Sequence, residues 1–150
     1  MFQLIVSVIA IALVAILAAA SIYYGGSAFS SSTAKGNVAA LINAGQQIAG
    51  ANALYKVDNT VSVSGIANLV PAYLSAIPTA PRFAAGSWAL DAASTVAYIG
   101  LASNAQAQVC TEVGNQGGAS AATMAGAAPA STDLPANQFG CVGNFFAYKL

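Results

Sequence analysis

Apolar side chains dominate the chain from Phe2 to Tyr24, where Gln3, Ser7 and Ser21 are the clearly polar positions before the tyrosine pair and no residue is charged. They fall on every face of a helix drawn through them, so the segment predicts an α-helix with no polar side of its own. About 20 such residues suffice to cross a bilayer. Lacking a basic n-region and running longer than a signal-peptide core, the segment is expected to be retained rather than cleaved. Gly25-Gly26 and the serines that follow predict a bend, local melting or break, since each glycine costs about 1 kcal/mol in a helix interior relative to alanine. Helical spacing then resumes: Ala34, Val38, Leu41, Ile42, Ile48 and Ala49 form one stripe, with Gly45 in its gap, to about Tyr55. This second half is amphipathic and predicts packing on a globular core.

Beyond it, Lys56–Thr60 reads as a loop and Ser64–Leu69 as a short helix, after which Pro71, Pro78 and Pro81 interrupt the chain. Three runs have strand character: Ser87–Asp91 around Trp88, Thr95–Leu101 with its branched and aromatic residues, and Ala107–Val113 by alternation. Their short polar links predict an antiparallel meander. Residues Gly114–Gln138 are a mixture of small and polar types, read as an exposed irregular loop. The aromatic-rich end, Asn144–Leu150, predicts a terminal strand that returns to the sheet. The expected fold is α+β: a long N-terminal helix packed through its second half on a small antiparallel sheet, with a C-terminal loop closed by a disulfide. Three regions follow: an apolar helix (1–24), a hinge at Gly25 and Gly26 (25–33) and a globular head (34–150).

Composition narrows what such a chain can do. Four basic and four acidic residues give no net charge, and histidine is absent. Nucleic-acid binding, which needs a basic surface to neutralise phosphates, is therefore not expected. So weak a charge does little to keep copies apart. Cys110 and Cys141 have no metal-like spacing, and one intramolecular disulfide is the simplest reading, two free buried thiols being the alternative. A disulfide agrees with a location outside the cytoplasm.

Catalytic constellations are missing from the pattern, and no enzyme activity, cofactor or metal is expected. Ser31, Ser32 or Thr33 near Lys35 forms a conceivable hydroxyl–lysine pair, for which a solvated helix hinge is the plainer account. Asp58-Asn59 lacks the spaced oxygens of a calcium loop and reads as a turn. Tyr23, Tyr24 and Phe29 make an aromatic cluster suited to interfacial packing.

This layout, together with Ile16-Leu17-Ala18-Ala19 inside the opening helix, resembles a type IV pilin. Val38–Tyr55 and Leu69-Val70-Pro71 are loosely similar to the type IVb group of major pilins. The resemblance covers the whole chain in architecture and the opening helix in motif. It implies a mature N-terminus at Met1 or Phe2, N-methylated after prepilin peptidase removes a short basic leader. It also implies passage through the bacterial inner membrane and pilus assembly machinery, and a helical homopolymer of identical subunits displayed as an extracellular filament. One departure stands out: pilins usually carry glutamate at the fifth mature position, and here Ile5 or Val6 occupies it. Neither pairs with an ammonium, so a buried N-terminal amine would have to neutralise, reach a backbone carbonyl or find Gln3 or Ser7.

The function expected on these grounds is that of a structural filament subunit whose core contacts are Leu4, Ile5, Val8, Ile9, Ile11, Leu13, Val14, Ile16 and Leu17. The alternatives are a single-pass membrane-anchored binding domain that never polymerises, and a minor pilin or secretion pseudopilin.

Overall fold

The computed structural model describes the backbone of residues 2–121, 128–134 and 136–150, with the side chains of these residues except 26–31, 120 and 121. Helix α1 spans Phe2–Asn59. Two compact units divide the chain, Met1–Ala34 and Lys35–Leu150. The first contributes helix alone. Its helical backbone continues through Gly25 and Gly26, so the expected melting or break at this pair is not found. Two glycines cost about 2 kcal/mol in total, while interrupting a helix sacrifices several hydrogen bonds and requires a second, unfavourable nucleation.

In the second unit the amphipathic stripe is buried as the pattern predicts. Val38, Leu41 and Ile48 are inaccessible, Gly45 is buried, Ile42 and Ala49 are half-buried, and Ala51 extends the row. Each large member contributes about 1.5–3 kcal/mol of burial. Helix α1 passes the expected loop at Lys56–Thr60 and stops only when Thr60 adopts a left-handed backbone (φ 57°). Asn59 donates from Nδ2 to Tyr55 O and to the Tyr73 hydroxyl, both at 3.1 Å, which holds the last turn against the segment that follows. A 3₁₀ turn at Ile66–Leu69 then buries Leu69, in agreement with the predicted short helix.

The sheet has five strands in the order β1-β2-β5-β4-β3. β1 (Ala89–Leu90), β2 (Val96–Gly100), β5 (Phe145–Lys149) and β4 (Phe139–Val142) are antiparallel neighbours. β3 (Ala119–Ala121) adds to β4 in parallel. The Asp91 carboxylate shapes the β1–β2 turn: Oδ1 accepts from the Thr95 and Val96 amides at 2.6 and 2.7 Å, and Oδ2 from the Thr95 hydroxyl at 2.9 Å. β4 and β5 meet in a two-residue turn, with Val142 opposite Phe145 and Gly143 at φ 59°. The terminal strand thus pairs on both edges, at the centre of the sheet.

Two sequence expectations fail here. Ala107–Val113 is not a strand but part of helix α2 (Ser103–Asn115), with Val109, Glu112 and Val113 buried. Burial at three- and four-residue spacing is the helical repeat, and it outweighs a seven-residue alternation. The Gly114–Gln138 stretch is not wholly an exposed loop either: β3 joins the sheet, and Leu134 is fully buried beside Val96, Val142 and Ala147. Residues 122–127 and 135 of that stretch lie outside the described residues. The main core gathers Val38, Leu41 and Ile48 of α1, Val109 and Val113 of α2, and Trp88, Ile99 and Phe146. Trp88 meets Phe146 edge to face, ring centroids 6.2 Å apart.

Candidate assembly segment

The first unit carries the candidate surface. Residues Phe2–Gly25 form a helical span containing an 18-residue window of mean hydropathy 2.9, none of it buried. Leu4, Ile5, Val8, Ile9, Ile11, Leu13, Val14, Ile16 and Leu17 are all exposed, from 55% at Ile9 to 71% at Leu4. Phe2 is exposed as well, whereas Met1 lies outside the described residues. A helix of this length and about 10 Å diameter presents on the order of 1,000 Å² of apolar surface, beyond the few hundred Å² usual for the largest patch on a soluble monomer. A surface of that size calls for lipid or protein to cover it.

The two serines inside the segment are arranged compatibly with an apolar setting. The Ser7 hydroxyl donates to Leu4 O at 2.9 Å and the Ser21 hydroxyl to Leu17 O at 2.8 Å. Both donors are thereby satisfied within their own helix, which removes most of the cost of moving a hydroxyl out of water. Tyr23 and Tyr24 follow, exposed and edge to face, with ring centroids 5.6 Å apart. Phe29, expected to join them, has a side chain outside the described residues, as does Ser31.

Elsewhere, Cys110 and Cys141 are bonded, with Cα atoms 5.6 Å apart, and the bond ties α2 to β4. Ser32, Thr33 and Lys35 are exposed on α1. Asp58 and Asn59 belong to the end of α1, and Asn59 is engaged with Tyr55 and Tyr73. Among the described residues no group of three metal-ligating side chains converges.

Two features escaped the sequence reading. Leu54, Val57 and Val61 are exposed near the end of α1. Leu54 and Val57, three apart, share a helix face that the apparent loop at Lys56 hid, and Val61 lies just past the left-handed Thr60 that ends the helix. Glu112 is the other. Its carboxylate accepts from Gln116 Nε2 at 3.1 Å and Asn115 Nδ2 at 3.3 Å. The bond from Gln116 is the main influence drawing its pKa below the ordinary glutamate value; partial burial opposes this, and Asn115 and then the positive charge of Lys35 add to the lowering. An i, i+4 Glu–Gln pair signals this on a helix, but the alternating pattern of Ala107–Val113 predicts a strand, in which the two side chains do not meet.

Comparison with family models, with curated proteins and with solved structures gave no match.

Proposed function

We propose that the protein is the structural subunit of an extracellular filament of the type IV pilus kind. It polymerises by packing its apolar N-terminal helix against the same helix of identical subunits, while the disulfide-bonded head forms the outer surface. The observation that carries this reading is the uncharged helical span Phe2–Gly25, exposed throughout. Removing about 1,000 Å² of apolar surface from water contributes about 25 kcal/mol gross, against about 4–15 kcal/mol for the lost freedom of an associating subunit. The architecture is compatible with a pilin: a long helix, a small sheet largely antiparallel, and a disulfide joining α2 to β4. Before assembly the same segment holds the chain in a membrane, and the filament takes it up from there.

The length of the span also favours a second reading, a single-pass anchor for a head that never polymerises. Placing a charge in the segment and examining sheared cell-surface material by electron microscopy and sedimentation tests the filament. Replacing Ile9→Asp or Leu13→Asp is expected to abolish filaments while the head still forms its disulfide. Filaments of normal abundance from both variants would refute the proposal, and wild-type chain recovered only as detergent-extracted monomer would favour the anchor.

A further inference from the structure

Tyr23 and Tyr24 stand where the apolar segment ends. From Phe2 to Ile22 the helix rises about 30 Å at ~1.5 Å per residue, which matches the hydrocarbon core of a bilayer. Past the pair come Gly25, Gly26, Ser27 and a serine-rich stretch, and the first charge is Lys35. No tryptophan, lysine or arginine lies near this boundary to fix its depth, since Trp88 is buried in the head. The two phenol rings are exposed, and adjacent helix positions differ by about 100°, so they cover a broad arc of the helix. Tyrosine, apolar in its ring and polar at its tip, partitions to the headgroup layer.

We infer that Tyr23 and Tyr24 form the interfacial anchor that sets how deeply the chain sits in a lipid bilayer before assembly, leaving the backbone from Gly25 onward in water. This rests on the membrane-held stage of the proposed function. The partner is the glycerol and headgroup layer of the bilayer. With no charge in the span, binding does not depend on anionic lipid.

The test uses the full chain in phosphatidylcholine vesicles, with a single cysteine added as Ser27→Cys or Ala28→Cys; the parent's cysteines are paired and serve as the unlabelled control. Both added positions should react readily with a membrane-impermeant maleimide. In the Tyr23→Leu, Tyr24→Leu background the apolar run lengthens and the helix should sink by roughly one turn, about 4 residues. Labelling at both positions should then slow strongly, and Tyr23→Trp, Tyr24→Trp should restore it. An unchanged labelling profile in membrane-bound chain overturns the anchor assignment alone. Chain left in the aqueous supernatant overturns both the assignment and the membrane-held stage beneath it.

Discussion

Gly45 of α1 lies against Tyr148 of β5 with no room for a side chain between them: a Cβ at position 45 would stand 2.5 Å from Tyr148 Cγ and 2.8 Å from its Cβ. The central strand therefore meets the backbone of α1 directly. Because the crowding includes atoms at the root of the tyrosine, a rotation of the ring does not relieve it. Gly45→Ala gains about 1 kcal/mol in helix propensity, yet overpacking a close contact costs about 1–3 kcal/mol. A net loss of stability is expected, larger for Gly45→Val, read as a lower denaturant midpoint of the detergent-solubilised chain. An alanine variant more stable than the parent would show that the contact relaxes.

The disulfide closes a loop of sequence separation 31 between α2 and β4. Constraining a loop of that size restricts the unfolded chain by roughly 3–4 kcal/mol on the chain-entropy model. The Cys110→Ser, Cys141→Ser variant should lose stability of that order in the same denaturation experiment. A midpoint equal to that of the oxidised parent would contradict this.

Glu112 gives the head a specific acid response. Its folded-state pKa is depressed from the ordinary value of 4.5, so its contribution is fully present above that value and is lost as pH falls through the lower folded-state pKa. Glu112→Gln should therefore be less stable than the parent at neutral pH and converge with it in that acid range. The check is a denaturation series against pH; a constant difference between the two proteins down to the most acid points would exclude this origin.

The long helix was legible because both of its halves carry strong patterns, an unbroken apolar run and then the stripe through Val38, Leu41 and Ile48. β2 and β5 were legible from branched and aromatic residues, and the cysteine pairing from the shortage of other partners. Helix α2 was not, since Ala102 before it offers no capping side chain and its buried valines, Val109 and Val113, are too few to outweigh a local alternation. β3 carries no strand signature at all. Its Ala-Ser-Ala run pairs with β4 because Gly140 permits close approach, a Cβ there standing 2.5 Å from Ala119 O. In the candidate segment, exposure of Leu4 through Leu17 followed from having too little chain to cover both halves of so long a helix. What covers it depends on other molecules, which one chain's pattern does not encode.

The most direct measurement is a helical reconstruction, by electron cryomicroscopy, of filaments sheared from cells that express the chain. The account predicts a polymer of this protein in which Leu4 to Leu17 pack against the same segment of neighbouring subunits along the filament axis, with the Cys110–Cys141 heads outside. A filament held together by head contacts alone, with that segment in lipid or folded onto its own head, would contradict it.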